Sequence, residues 1–397
     1  MTDFAATRAF FNLPEGMIYL DGNSLGPLPK SVPARLDEML RAEWGEMLIT
    51  AWNKAGWMAA PARLGDRIGR LIGAAPSTVV LGDTLSIKVY QALAAALDLR
   101  PDRRVILSDS GNFPSDLYMA EGLISALGRG HELRVVAPDA VDSAITEEVA
   151  VLMLTEVDYR TGRRHEMPKL TAKAHDVGAL TVWDLAHSAG ALPVDVSGAR
   201  VDFAVGCTYK YLNSGPGGPA FIYVAPEHAD AARPALSGWL GHAAPFAFEE
   251  RYRPGAGIER MRVGTPPVMQ IAALDAALDV WDIADIHDVR ARSIELSERF
   301  ITAVEARCPQ LTLGSPRDPA RRGSQVAFRH AEGYAIMQAL MARGVIGDFR
   351  APDILRFGMT PLYIGAAEID RAVDILSEVL GARAWDKPEY KIRAAVT

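Results

Sequence analysis

Between residues 78 and 224 seven short apolar, β-branched runs, STVVLG, RRVILSDS, LRVVAP, VAVLMLTEV, ALTVWD, DFAVGC and PAFIYV, are mostly separated by segments such as SIKVYQALAAALDL and PSDLYMAEGLISALG. The runs have the length and composition of strands, and the intervening segments repeat apolar residues three and four apart, as helices do. Strands that alternate with helices pack as an α/β sandwich around a mostly parallel sheet, here seven-stranded. In such sheets ligands gather beyond the carboxyl ends of the strands. That rule singles out Asp83, Asn112, Thr155, Asp184 and Lys210, which follow or end the runs.

After residue 225 the texture turns loop-rich, with many Gly, Pro and aromatic residues up to GTPPVMQ. Two long helical patterns follow, Val268 to Ala284 and Ile286 to Arg307. Short strands near Leu311, Val326 and Ile354 then alternate with helices at Glu332 to Arg343 and Ala366 to Leu380. This predicts a smaller C-terminal α/β domain. The boundaries expected are 1–75 for a mainly helical N-terminal segment, 76–265 for the large domain and 266–397 for the small one. A chain of 397 residues that is 49% hydrophobic can bury a core of that size. Its net charge of −7 has the wrong sign for binding nucleic acid or anionic lipid through a general surface field. Two cysteines, Cys207 and Cys308, are too few for a disulfide framework or a cysteine metal site. With no run of 18 apolar residues and no basic, apolar leader at the start, the expectation is a cytoplasmic protein that does not enter membranes.

The residues beyond the strand ends suggest chemistry. Lys210 lies between the run DFAVGC and the turn SGPGG. By position it could equally be a solvated lysine beside a loop. Only eight of the 42 basic residues are lysine, however, so arginine serves wherever a plain positive charge suffices. A lysine, unlike an arginine, can lose its proton and form a Schiff base. Asp184 ends the fifth run 26 residues earlier, with His187 just beyond it. Alone it reads as a helix N-cap. Paired with Lys210 it matches what pyridoxal 5'-phosphate requires, an aldehyde-binding lysine and a carboxylate for the pyridinium nitrogen. The turn GDTLSIKV opens a helix near Ser86 and forms an anion site or simply a capped helix. Phe113, in DSGNFPSDLY, could stack on a flat ring or belong to the core. No dinucleotide or nucleoside-triphosphate loop competes, and the eight histidines show no metal-binding spacing.

Taken in order, YLDGNSLGPLP, WNKAGW, GDTLSIKV, NFPSDLYMAEGL, WDLAHSAGALPVD, CTYKYLNSGPGGPAF, LSGWLGH, MRVGTPPV and LRFGMTPLY resemble the kynureninases, fold type I pyridoxal-phosphate enzymes of the aminotransferase class V group. The resemblance runs nearly the whole chain. It implies that Lys210 makes the Schiff base and acts as the base, that Asp184 holds the pyridinium nitrogen, and that Thr155 and His187 lie near the ring, on which Phe113 stacks. It places Leu85, Ser86, Tyr209, Trp239 and Thr265 around the cofactor or its phosphate, the last two across a homodimer interface, and adds Pro114, Ser115 and Asp116 to the same shell. Tyr209 is the implied proton relay. Arg356 is expected to grip the substrate α-carboxylate with its planar fork, and Trp52 to meet the aryl end. The implied reaction is hydrolytic Cβ–Cγ cleavage of L-kynurenine to anthranilate and L-alanine in tryptophan catabolism, with the 3-hydroxy substrate less favoured on Thr265 and Trp52. The N-terminal segment is expected to join the small domain. Lys88, and the acidic stretch from Glu156 to Asp158, depart from the family pattern. A cysteine desulfurase or selenocysteine lyase is the alternative within the fold, but Thr208 and Tyr209 precede Lys210 where those enzymes carry a histidine, and Cys308 ends an amphipathic helix. The other alternative is a cofactor-binding regulatory protein without turnover.

Overall fold

The computed structural model describes residues 1–393. Its strands, in chain order, are β1 (Ile18–Tyr19), β2 (Val79–Leu81), β3 (Val105–Asp109), β4 (Glu132–Val136), β5 (Val149–Thr155), β6 (Leu180–Asp184), β7 (Phe203–Gly206), β8 (Phe221–Val224), β9 (Thr312–Leu313), β10 (Gln325–Arg329), β11 (Val345–Ile346), β12 (Asp348–Arg350) and β13 (Ile354–Gly358).

Seven of them form one sheet in the order β2-β8-β7-β6-β5-β3-β4. The strands from β3 to β7 pair in parallel, whereas β8 is antiparallel to both β7 and β2. Because β8 reverses direction twice over, β2 runs with the others, and the ends at Leu81, Asp109, Thr155, Asp184 and Gly206 share one edge of the sheet.

Every residue of β3, β5, β6, β7 and β8 is buried, which is why these runs read as continuous rather than alternating apolar sequence. Successive side chains nevertheless enter different cores. Leu107, Leu152, Leu154, Trp183, Ala204 and Tyr223 pack on one face, and Ile106, Val151, Met153, Val182, Val205 and Ile222 on the other. The helix Leu85–Asp98 covers the second face and contributes seven of its Ala, Val and Leu side chains to that core. Truncating a fully buried leucine in such a layer costs about 2 to 5 kcal/mol. β4 is the sheet edge and is only half-buried; Arg134 on it pairs with Glu132 and Glu148, charges that discourage strand addition.

The second sheet, β12-β13-β10-β9, is antiparallel and packs under the helices Ile286–Arg307, Gly333–Met341 and Ala366–Gly381 around one core. Phe11, Ile18 and Leu20 from the N-terminal segment enter that core, and β1 pairs in parallel with β11. The helical pattern starting at Val268 stops at Leu278, short of the expected Ala284, and tightens into a 3-10 turn, Asp279–Asp282. Asp285 then caps a new helix, accepting the amides of His287 and Asp288. The strands β11 and β12 were not foreseen, being two and three residues long.

Candidate active site

The parallel edge brings the expected groups together. Asp184 closes β6, and Lys210 stands four residues past the end of β7, on a loop fixed where Gly26 N–H donates to the Tyr209 carbonyl at 2.8 Å and Thr208 Oγ1 meets Ser214 Oγ at 2.7 Å. Lys210 Nζ lies 2.9 Å from His187 Nε2, 6.0 Å from the Phe113 ring centroid and 5.8 Å from that of Tyr209. Phe113 is the exposed N-cap of the helix Pro114–Leu127, with Asn112 Oδ1 accepting its amide, and its ring meets Tyr159 edge-on at 5.0 Å. It therefore presents a free face toward the lysine.

Two carboxyl groups sit beneath. Asp184, whose Oδ1 accepts the Ala186 amide at 2.9 Å, is pushed up to about 6 by burial, against the pull of Lys210. Asp116 is raised well above the usual carboxylate range by burial and by Asp184, with Lys210 and the Ser115 hydroxyl opposing the shift. A buried carboxyl beside a second one is a site built for a positively charged or hydrogen-bonding group. Thr155 Oγ1 is 3.5 Å from the Asp184 carbonyl and donates at 3.2 Å to that of Val157. Burial lifts the Tyr209 phenol, helped by Cys207 and Asp184, so it stays protonated at neutral pH.

At the end of β2, Gly82 and Asp83 take positive φ, and Thr84, extended, caps the helix Leu85–Asp98 without using its side chain. The amides of Leu85 and Ser86 open that helix, a cradle suited to phosphate. Lys88, the departure from the family pattern, is fully buried behind it. Its ammonium donates to Asp83 Oδ2 (3.2 Å), Gln91 Oε1 (2.9 Å) and the Met261 carbonyl (2.9 Å), which uses all three protons. Burial depresses its pKa and Asp83 opposes the shift.

Arg356 lies on β13 and is almost fully buried, a placement that demands a countercharge. Its Nε and Nη2 engage Asp348, Nη2 also reaches Ser24 Oγ at 2.7 Å, and Nη1 donates to the Tyr159 carbonyl. Four of its five N–H donors are thereby used. The fork thus faces Asp348, and one N–H on Nη1 remains. Burial works against the charge on Asp348, and Arg356 and Arg350 overcome it, holding that carboxyl below its ordinary range. Asp21, nearby, is pushed up to about 8 by burial and by Asp348.

Trp52, Trp239 and Thr265 converge elsewhere, in a 610 Å³ cleft with Ile49 and Phe246 whose lining includes none of Lys210, Asp184 and Arg356. Within one chain these three are not part of the lysine site. Glu156 and Asp158 are buried: Glu156 Oε1 takes Arg164 at 2.9 Å, and Asp158 Oδ1 accepts the amides of Arg160 and Thr161. Both cysteines are buried, Cys308 as the cap ending its helix.

Sequence reasoning missed Gln325, Asp348 and Ser24. The only local signal for Gln325 and Asp348 is a polar residue opening a strand. Gly22 to Gly26 fits the GxSxG spacing of a nucleophilic serine, but Ser24 Oγ donates to Asp348 at 2.6 Å and receives Arg356, so it serves the arginine.

Comparison with known proteins agrees with this chemistry. Residues 289–376 match the family model for the kynureninase C-terminal domain. The chain is 50% identical to the kynureninase of Burkholderia mallei (strain SAVP1), with 99% of this chain and 96% of that protein aligned, and 49% identical, at the same coverage, to that of Pseudomonas fluorescens. Among solved structures it is similar to an apo cysteine desulfurase from Thermococcus onnurineus NA1, with a TM-score of 0.79 at 18% identity over 95% of this chain and 98% of that one. A mutant of C-DES with glycine covalently linked to its PLP cofactor also scores 0.79, at 19% identity over 94% and 99% of the chains. At such identities the structural likeness speaks for the fold.

Proposed function

The chain belongs to the kynureninase family and is a pyridoxal-phosphate-dependent hydrolase, and from that premise we propose that Lys210 Nζ is the base at Cα in the hydrolytic Cβ–Cγ cleavage of L-kynurenine to anthranilate and L-alanine. The observation that carries these roles is the convergence of Lys210, Asp184, Asp116 and the open face of Phe113 on one spot at the carboxyl edge of the sheet. When bound, the cofactor supplies a protonated ring that accepts the electrons left by the Cα proton.

The chain's own groups do the rest. Asp184, ionised, holds the ring nitrogen. The amides of Leu85 and Ser86 take the phosphate. Phe113 covers one face of the ring, and the phenol of Tyr209 donates a proton. The remaining Arg356 Nη1 N–H meets the substrate carboxylate, with Arg350 adding positive charge 2.8 Å from the shared Asp348. A second copy of the chain completes the site: Ile49, Trp239, Phe246 and, against Phe246, Phe248 are exposed at the 610 Å³ cleft, an apolar surface suited to a homodimer that delivers Trp239 and Thr265 to the neighbouring lysine and Trp52 to its aryl end. Two free cysteines fit a cytoplasmic address; among the described residues no helix is long and apolar enough to cross a membrane.

The test is anthranilate fluorescence after L-kynurenine is added to pyridoxal-phosphate-loaded protein, with Lys210→Ala alongside. Anthranilate and alanine in equal amounts, lost in the variant together with the visible absorbance of the loaded protein, is the expected result. Anthranilate formation by the variant at the wild-type rate would remove Lys210 from the mechanism.

A further inference from the structure

His187 contacts Lys210 with one ring nitrogen, and the other is held by a residue of the small domain. Gln325, the first residue of β10, is fully buried. Its Nε2 donates to the carbonyls of Asp158 (2.9 Å) and Tyr159 (3.0 Å), and its Oε1 stands 3.0 Å from His187 Nδ1. The two backbone carbonyls can only accept, so they consume both amide protons and turn the amide oxygen toward the imidazole. An oxygen there requires the proton on Nδ1, which leaves a lone pair on Nε2 facing Lys210 Nζ at 2.9 Å. The opposite tautomer would set lone pair against lone pair at Gln325. The charged groups acting on His187 are Lys210, Arg356 and Arg350; with burial they push its pKa well down and keep it neutral.

The same strand pair carries Arg356. In the β10–β13 register Gln325 lies opposite Gly358 and Ala327 opposite Arg356, so the Gln325 and Arg356 side chains leave one face of the sheet. Both donate to the Tyr159 carbonyl.

We propose that Gln325 is a positioning residue that fixes His187 as the Nδ1–H tautomer, aims its Nε2 lone pair at Lys210, and ties that aim to the placement of Arg356 through the shared Tyr159 carbonyl. The consequence for turnover rests on the assignment of Lys210 above; the tautomer does not. The experiment labels histidine nitrogens in the full-length protein, cofactor-free and loaded, and compares wild type with Gln325→Met and Gln325→Leu by NMR and steady-state kinetics. Wild type should show His187 Nδ1 protonated and Nε2 unprotonated. In Gln325→Met, which keeps the side-chain length, both tautomers should appear and kcat should fall by about tenfold, with a smaller change in KM for L-kynurenine because Arg356 remains. Gln325→Leu should give the same pattern, and serves if the methionine variant fails to fold. Wild-type His187 protonated on Nε2, or a variant with unchanged tautomer and unchanged kcat, overturns the proposal. An inactive wild type with the Nδ1–H signature intact would count against the Lys210 reading alone.

Discussion

Asp184 should weaken the empty protein while it serves the loaded one, and Asp184→Asn separates the two effects. Burial raises this carboxyl to about 6, against an ordinary 3.8, although Lys210 attracts its charge. A carboxyl that binds its proton more tightly when folded is no burden below its unfolded pKa. The penalty develops as pH rises through the interval and is complete above about 6. Two pKa units at about 1.4 kcal/mol each set it at about 3 kcal/mol near neutrality. Asparagine keeps an oxygen for the Ala186 amide, removes the charge, and relieves the repulsion that raises Asp116, which is then free to pair with Lys210. With an unfolding entropy of roughly 2.1 cal/mol/K per residue over this length, cofactor-free Asp184→Asn should melt about 4 °C above wild type at about pH 8, and the gap should close by about pH 3. Adding pyridoxal phosphate should reverse the order, because wild type alone offers a charge to the ring nitrogen. Calorimetry of both proteins, with and without cofactor at the two pH values, checks all of this. A cofactor-free variant no more stable than wild type at about pH 8 would refute the claim that desolvation outweighs Lys210.

Asp348→Asn strips the buried Arg356 of its countercharge and should cost about 3 to 5 kcal/mol of stability, with KM for L-kynurenine rising; thermal unfolding and initial rates report both, and unchanged values would show that Asp21, Ser24 and the Tyr159 carbonyl suffice for Arg356. Gly22→Ala would set a methyl 2.0 Å from the hydroxyl of fully buried Tyr363 and 3.1 Å from Thr360 Oγ1. It should destabilise by about 3 kcal/mol, and a wild-type unfolding midpoint would show that Tyr363 yields.

Seven strands and the residues at their ends were readable because a parallel sheet buried on both faces writes itself as uninterrupted β-branched runs, and its chemistry follows each run directly. Lys210, Asp184, Asp116 and Phe113 come together for that reason. Gln325 and Asp348 carry no such mark: Gln325 reaches His187, 138 residues away in sequence, only through the docking of the small domain. Arg356 could be found from LRFGMTPLY, whereas its engagement by Asp348 could not, because eight residues and a strand reversal lie between them. The departure at Lys88 became intelligible once its three acceptors were visible, one of them 173 residues away. Trp52 and Thr265 show the limit from the other side, since one chain's fold leaves them in a separate cleft.

The loop bearing Lys210 is clasped by the beginning of the chain. Gly26 donates to the Tyr209 carbonyl, and a side chain at Gly26 would lie 2.4 Å from the carbonyl of Lys210 itself. The segment leading into Gly26 is in turn seated by β11, where Ile18 pairs with Val345, and by the Gly358 amide on the Leu20 carbonyl. On the ribosome, the first thirty residues emerge long before the strands that seat them, at about 5 to 20 residues per second. The large sheet can therefore assemble while its lysine loop is still loose. Competence to capture cofactor arrives only when residues past 358 have left the exit tunnel, so a nascent chain stalled before that point should remain colourless.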